Sequence, residues 1–108
     1  MTKVTVTKKG GKIVALDCDG HTGYGVEGED IVCAALSSVV QTAVLGIMGV
    51  AGIAAKLKRG DGMLSLKLPE TLTESERHDA DTILETMLLG VADLYEGYSD
   101  FIELEVKN

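Results

Sequence analysis

Aromatic side chains are almost absent from this sequence. It has no tryptophan, one phenylalanine and three tyrosines among 108 residues, whereas 45% of the residues are apolar. A core built without large rings must rely on small and aliphatic side chains. The length corresponds to a single domain covering residues 1–108, which is long enough to bury such a core.

Cysteine and positive charge are also scarce. Cys18 and Cys33 are the only cysteines, and they stand too far apart for a Cys-x-x-Cys redox or zinc motif. No charged and then apolar leader opens the chain, so we expect a cytoplasmic protein with free thiols. The net charge of −7 argues against nonspecific binding to nucleic acid or to an anionic membrane surface. A basic protein or peptide would be attracted instead.

Residues 31–55 contain no charged side chain. An uncharged apolar run of this length is a candidate membrane span, and Lys56, Lys58 and Arg59 follow it in the position of a cytoplasmic anchor. The first half of the run nevertheless holds several polar side chains, and the second half is rich in glycine and alanine rather than leucine and phenylalanine. We therefore favour a helix buried on all sides, partly against a second copy of the chain.

Alternation of apolar and polar residues predicts four strands. They cover residues 3–7, 13–19, 63–68 and 101–106. The pair Gly10-Gly11 marks a hairpin between the first two strands. A long helix is predicted from about residue 30 to residue 58, and a second helix follows the capping box of Thr73 and Glu76. The resulting order predicts an α+β fold, with a four-stranded and mostly antiparallel sheet that carries two helices on one side.

Gly46, Gly49 and Gly52 lie at three-residue intervals in the predicted long helix. Each glycine in a helix interior costs about 1 kcal/mol relative to alanine, and close approach of another backbone is the usual compensation. We expect a symmetric homodimer in which these helices pack together. Tight packing within one chain is the alternative explanation.

One segment carries most of the functional information. His21 and Cys33 stand a dozen residues apart, and a glycine-rich loop joins them. The expected substrate-binding loop comprises Gly20, Gly23, Tyr24, Gly25 and Gly28. At the start of the predicted long helix, Cys33 lies near the positive end of the helix dipole, which favours its thiolate. A thiolate with an imidazole to activate it is the arrangement of a cysteine hydrolase, although a buried and inert core thiol fits the spacing equally well.

Two other kinds of site fit part of this segment. The loop glycines match the spacing of a dinucleotide-binding turn, but Glu27, Glu29 and Asp30 would repel a pyrophosphate. No acidic residue follows about twenty positions later to hold a ribose. Asp17, Asp19 and His21 alternate at a strand end and could present three metal ligands on one side. Solvated acids explain that pattern more simply, so we expect neither a metal nor a cofactor. We interpret Cys18, on the inward face of its strand, as a packing residue.

Positions 20–37, GHTGYGVEGEDIVCAALS, closely resemble the motif of the ribosomal-processing cysteine proteases, in which a GHAGY-like segment precedes a DIVCAAVS-like segment. The length and the predicted order of elements are also similar to that family. The resemblance implies a homodimeric endopeptidase that removes the N-terminal extension of the large-subunit ribosomal protein L-twenty-seven. It also implies that His21 and Cys33 are the catalytic pair. Thr22 replaces a common alanine and Leu36 a common valine, and neither change removes a catalytic group.

The roles of three further residues stay open. Asp30 is expected to cap the helix or, as a third catalytic residue, to orient His21. Ser37, one turn after Cys33, either donates a hydrogen bond near the sulfur or fills a helix contact. Tyr24 is expected to cover the apolar side chains of a bound peptide when the loop closes, unless it is an ordinary exposed aromatic. The alternative to a peptidase is a non-catalytic ribosome-associated factor whose acidic surface binds a basic ribosomal protein.

Overall fold

The structure is a computed structural model that describes residues 1–20 and 29–108, without the side chains of residues 29 and 30. The described part contains five strands, two α-helices and one π-helical turn. In chain order these are β1 (Thr2–Lys9), β2 (Lys12–Asp19), α1 (Glu29–Leu45), the π-helical turn (Gly46–Val50), β3 (Lys56–Gly60), β4 (Met63–Lys67), α2 (Glu74–Gly97) and β5 (Ile102–Lys107).

The hairpin of β1 and β2 confirms the prediction from Gly10-Gly11. Both glycines have positive φ, 60° and 80°, as a two-residue turn between right-twisted strands requires. The strands pair antiparallel, with Val4 opposite Cys18 and Val6 opposite Leu16. This register puts the side chain of Cys18 on the buried face of the sheet.

The predicted four-stranded, mostly antiparallel sheet is wrong. The described residues form a five-stranded mixed sheet in the order β3-β4-β2-β1-β5. The edge strand β5 pairs parallel with β1, from Thr2 opposite Ile102 to Thr7 opposite Lys107. A parallel neighbour needs a long crossover rather than a tight turn, so no local signal in the sequence announces this pairing.

The additional strand is β3, which includes residues predicted to form the end of the long helix. The α-helix instead ends at Leu45, the π-helical turn follows, and Gly52 has φ +67°. A residue with that φ cannot continue a right-handed helix, so the chain leaves the helical path and returns as β3 beside β4. The prediction of one helix from about residue 30 to residue 58 is therefore wrong, because the uncharged run contains the end of α1 and a π-helical turn before β3 begins.

Both helices contact each other and share the hydrophobic core with one face of the sheet. On α2 the buried side chains are Ala80, Leu84, Met87 and Val91. On α1 and the π-helical turn they are Val32, Leu36, Val40, Ala43, Val44 and Ile47. The opposite face of the sheet, which includes Asp17, Asp19 and Lys58, is open to solvent. The prediction of helices on one side is confirmed.

The glycine stripe has a within-chain explanation at one position. A Cβ on Gly46 would lie 3.3 Å from Cγ2 of Ile83 on α2, so this glycine allows the π-helical turn to approach α2. A Cβ on Gly49 or on Gly52 would meet no described atom within 4 Å. The alternative of packing within one chain therefore accounts for Gly46 and leaves Gly49 without a close neighbour among the described residues.

One helical stretch, Ile31–Val50, is long and apolar enough to cross a membrane by length and composition. The core helix of a soluble protein passes the same test. Six side chains of this stretch belong to the hydrophobic core described above, and 33% of its apolar window is buried.

Candidate active site

A cavity of about 400 Å³ opens between the start of α1 and the inner face of the sheet. Its walls come from β1, β2, α1 and the β3–β4 hairpin. The lining residues are Thr2, Cys18, Gly20, Cys33, Ala34, Leu36, Ser37, Val40, Gln41, Arg59, Gly60, Gly62, Met63 and Leu64. Most of this surface is apolar, and no acidic residue occurs in this set.

Cys33 is the fifth residue of α1 and its side chain is half-buried in the cavity wall. Its neighbours Val32 and Leu36 are buried in the core, and they fix the rotation of the helix so that Cys33 faces the cavity. The amides of the first helical turn have no partner within the helix. A reactive sulfur at this position therefore has the positive end of the helix beside it.

Gly20 holds the chain at the rim of the same cavity. Its amide donates a hydrogen bond to the carbonyl oxygen of Gly62 at 3.0 Å, and its own carbonyl accepts one from Oγ1 of Thr2 at 3.4 Å. Its φ is +106°, and a Cβ there would lie 2.5 Å from the carbonyl oxygen of Met1. Only glycine fits this junction, which immediately precedes His21 in the sequence.

Several predicted site residues lie outside the described part of the structure. These are His21, Gly23, Tyr24, Gly25 and Gly28. α1 begins at Glu29, one residue before Asp30, but the side chain of Asp30 is also outside the described part. Its two suggested roles, helix cap and third catalytic residue, stay predictions.

Ser37 lies one helical turn after Cys33 and lines the cavity with it. Its Oγ accepts a hydrogen bond from Nε2 of Gln41 at 2.6 Å. Oγ of Ser37 is therefore engaged within the helix. Ser37 and Gln41 are the polar residues that α1 contributes to the cavity, beside Cys33 and several apolar side chains.

Cys18 is more than the packing residue that its strand position predicts. Its side chain is half-buried against the core, but it also lines the cavity that contains Cys33. Burial raises the pKa of the Cys18 thiol to about 11, and the negative charges of Cys33 and Asp19 contribute to the increase. The strand alternation that turns Cys18 inward was visible in the sequence, but its nearness to Cys33 was not.

Asp17 and Asp19 lie on the solvent face of β2, because they pair with Thr5 and Lys3 while Cys18 faces inward. They thus project away from the cavity. Within residues 1–20 and 29–108, no three or more histidine, cysteine, aspartate or glutamate side chains are grouped so that they could hold a metal ion.

Comparison with known proteins links this fold to peptidases. The family model described as cysteine protease Prp matches residues 1–103. The ribosomal processing cysteine protease Prp of Bacillus subtilis is 28% identical over 103 residues, which cover 93% of this chain and 92% of that protein. The protein of the same name from Staphylococcus aureus is 31% identical over 104 residues, which cover 96% and 95% of the two chains.

Solved structures with a similar fold include those of a cysteine protease named Prp. The crystal structure of the S. aureus protease Prp with a substrate peptide superposes with a TM-score of 0.86 at 29% identity, covering 99% of this chain and 100% of that one. The same protease with a covalently linked product peptide gives a TM-score of 0.83 at 30% identity, with the same coverage.

Fold, cavity and relatives together define a cysteine-type peptidase. More narrowly, the chain belongs to the cysteine protease Prp family. The enzyme hypothesis is thereby confirmed at the level of class, and the non-catalytic alternative receives no support from the relatives.

Proposed function

We propose that this peptidase removes the N-terminal extension of a ribosomal protein precursor, with Cys33 as nucleophile and His21 as general base. The substrate we propose is the precursor of the large-subunit ribosomal protein L-twenty-seven. The observation that carries the proposal is the placement of the Cys33 thiol in a cavity whose rim is formed by Gly20, the residue before His21. The curated relatives are named ribosomal processing proteases, which supports the choice of substrate class.

In the proposed reaction His21 takes the thiol proton and the Cys33 sulfur attacks the scissile carbonyl. In this proposal backbone amides at the start of α1 stabilise the oxyanion that develops, and such a donor contributes about 3 kcal/mol to the barrier reduction. His21 returns its proton to the leaving amine. A water molecule, activated by His21, then hydrolyses the thioester and frees the new carboxyl end.

The cavity fits a peptide better than a highly charged ligand. Its floor and one wall are formed by apolar side chains such as Leu36, Val40 and Leu64, which can cover apolar side chains of an extended segment. A relative has been crystallised with a substrate peptide. We expect the peptide to lie across this cavity, with Gly23, Tyr24, Gly25 and Gly28 closing over it.

The test is incubation of the purified protein with the precursor, followed by mass spectrometry of the products. The wild-type protein is expected to shorten the precursor at one site. Cys33→Ala and His21→Ala are expected to bind it but to lower the cleavage rate by at least about 10⁴-fold. His78→Ala is the matched control, because His78 is the second histidine and its side chain is 81% exposed on α2.

The control should cleave like the wild type. Normal cleavage by Cys33→Ala would rule out the thiol mechanism, and normal cleavage by His21→Ala would rule out the assigned base. An intact precursor with the wild-type protein, but cleavage of another peptide, would leave the catalytic pair and refute the substrate.

We also infer that two copies of the chain associate through α1. Leu45 and Val50, at its end and in the π-helical turn, expose 71% and 85% of their surfaces. Large apolar side chains exposed together are typical of a contact surface, and Gly49 between them has room for a close neighbour.

Light scattering of Leu45→Asp is expected to give a monomer. Leu89→Asp is the control and should stay dimeric, because Leu89 lies on α2 and is similarly exposed, at 73%. A wild-type monomer at all concentrations would refute the dimer, and loss of the dimer in Leu89→Asp would refute α1 as its sole interface.

We expect the protein in the soluble cytoplasmic fraction, since ribosomal precursors are made there and since both cysteines are free. Recovery in the membrane fraction after cell disruption would contradict this.

A further inference from the structure

Two thiols, and not one, line the cavity. Cys33 contributes from α1 and Cys18 from the inner face of β2. They are the only cysteines of the chain, and neither is in a disulfide. The proposed cleavage mechanism uses Cys33 and gives Cys18 no role.

The surroundings of the two sulfurs differ. Cys18 pairs with Val4 on one side and Leu64 on the other, so apolar side chains surround it within the sheet. Burial, and after it the charge of Cys33, raises the pKa of Cys18 to about 11. Since thiolates react with peroxides and thiols do not, the protonated Cys18 reacts slowly, and we expect Cys33, at the start of α1, to be oxidised first. Oxidation of Cys33 to a neutral group then removes one of the charges that hold Cys18 protonated.

We propose that Cys18 and Cys33 form an oxidant-sensitive pair, in which Cys18 closes a disulfide onto an oxidised Cys33. The oxidant is a hydroperoxide such as hydrogen peroxide. In the first step the Cys33 thiolate attacks a peroxide oxygen, an S–O bond forms, the O–O bond breaks and hydroxide leaves. Cys33 loses two electrons to the peroxide and becomes a sulfenic acid.

In the second step the Cys18 sulfur attacks the sulfur of Cys33. The S–S bond forms, the S–O bond breaks, and the departing oxygen leaves as water with the proton of the Cys18 thiol. A dithiol reductant reverses the result by thiol–disulfide exchange and is itself oxidised. The disulfide protects Cys33 from further oxidation to the sulfinic acid, which simple thiols do not reduce.

The consequence for activity rests on the proposed function of Cys33. With its sulfur in a disulfide the peptidase has no nucleophile, so cleavage stops under oxidising conditions and returns on reduction. Disulfide formation itself requires no peptidase activity, and it can be measured without a substrate.

The first experiment is intact-mass analysis after treatment with hydrogen peroxide and trapping of free thiols in denaturant. The wild-type chain is expected to become two hydrogens lighter, to take up no thiol label, and to yield a proteolytic fragment pair linking Cys18 to Cys33. Dithiothreitol should restore both thiols. Cys18→Ser should instead gain two oxygens at Cys33 and resist dithiothreitol, and Cys33→Ser should keep its single thiol.

A wild-type chain that gains oxygen and takes up label at Cys18 would overturn the proposal. Disulfide between two chains through Cys33, with a yield that rises with protein concentration, would overturn it as well.

The second experiment measures the intramolecular disulfide in a glutathione redox buffer, with the protein folded and then in concentrated urea. If the fold brings the thiols together, the disulfide is expected at least about tenfold more stable, relative to glutathione, in the folded chain than in the unfolded one. An equal or lower value for the folded chain means that the fold holds the sulfurs apart, and the proposal fails. This result is independent of precursor cleavage, so it separates failure of the thiol pair from failure of the proposed function.

Discussion

The two helices of this protein are held in place by different means. α2 begins with a complete capping box, in which Oγ1 of Thr73 accepts from the amide of Glu76 at 3.1 Å and Oε1 of Glu76 accepts from the amide of Thr73 at 2.9 Å. It is also tied to the β1–β2 hairpin by the ion pair of Lys8 and Glu85 at 3.1 Å. Its start is thus fixed by a local motif, and none of its residues lines the cavity.

α1 differs at both ends. It continues into a π-helical turn, and its start borders the segment outside the described residues. Buried side chains such as Leu36 hold it to the sheet, and the adjacent Cys33 and Ser37 face the cavity. The helix that carries Cys33 is therefore positioned by its core contacts, and we expect changes in the core to reach the cavity mainly through α1, which lines it.

The largest expected change in stability comes from a buried leucine in each helix. Leu36 on α1 and Leu84 on α2 are each 1% exposed, so replacing either with alanine is expected to lower the free energy of unfolding by about 2–5 kcal/mol. Urea denaturation measures the loss. Precursor cleavage, measured under conditions where both variants are folded, should fall in Leu36→Ala only, because Leu36 lines the cavity.

Leu89→Ala is the matched control for both variants, because Leu89 is 73% exposed and should change the free energy by no more than about 0.5 kcal/mol. An equal loss of cleavage in folded Leu84→Ala would contradict the proposed division of roles between the helices.

The contrast between local motifs and tertiary contacts also explains how much of the fold the sequence alone could predict. The hairpin, the capping box of α2 and the helix around Cys33 follow from turn residues, cap residues and spacing, all of which are local. The strand β3 and the parallel pairing of β1 with β5 do not. Residues 31–55 lack charge, so no charged residue marks where α1 ends. In the folded chain the break consists of the π-helical turn after Leu45 and the positive φ of Gly52.

The candidate site was partly predictable for a similar reason. Cys33 follows from the resemblance and from its helix position. The cavity around it, including Cys18, Arg59 and Met63, joins residues from distant parts of the chain, and their proximity depends on sheet order. A sequence pattern within one element carries no information about that order.

The next effect concerns the junction before His21. Gly20→Ala is expected to lower the free energy of unfolding by about 1–3 kcal/mol, since its φ is +106° and a Cβ would collide with the carbonyl of Met1. Cleavage should fall further than stability explains, because relief of the collision moves the rim of the cavity. Gly97→Ala is the control at the end of α2, where a Cβ meets nothing within 4 Å among the described residues, and it should be neutral or stabilising by up to about 1 kcal/mol. Thermal unfolding measures the change in stability of both variants. A stabilised Gly20→Ala would show that an alanine at this junction causes no strain.

A smaller effect tests the local support of α2. Thr73→Ala removes the hydroxyl that accepts from the amide of Glu76 and is expected to lower the free energy of unfolding by about 1 kcal/mol. Thr73→Ser keeps the oxygen and should recover most of the loss in chemical denaturation. Cleavage by folded Thr73→Ala should equal that of the wild type, and a slower reaction would mean that the start of α2 also influences the site.

The smallest effect belongs to Cys18, on the cavity side of the comparison. Burial raises the pKa of this thiol to about 11 from an ordinary value of 9.0. Between these values the unfolded chain loses the thiol proton while the folded chain keeps it, so the folded state binds more protons and stability falls as pH rises. The contribution of the Cys18 thiol to stability is therefore complete below pH 9 and is lost progressively up to about pH 11.

The free energy of unfolding of the wild type minus that of Cys18→Ser should decrease over this interval and stay constant below it. The change should be small because the side chain is only half-buried. Taking the difference cancels the titration of tyrosine and lysine, which both proteins share. A difference that stays constant through the interval would mean that Cys18 titrates alike in the folded and unfolded chains. The apolar surroundings described for Cys18 would then be wrong.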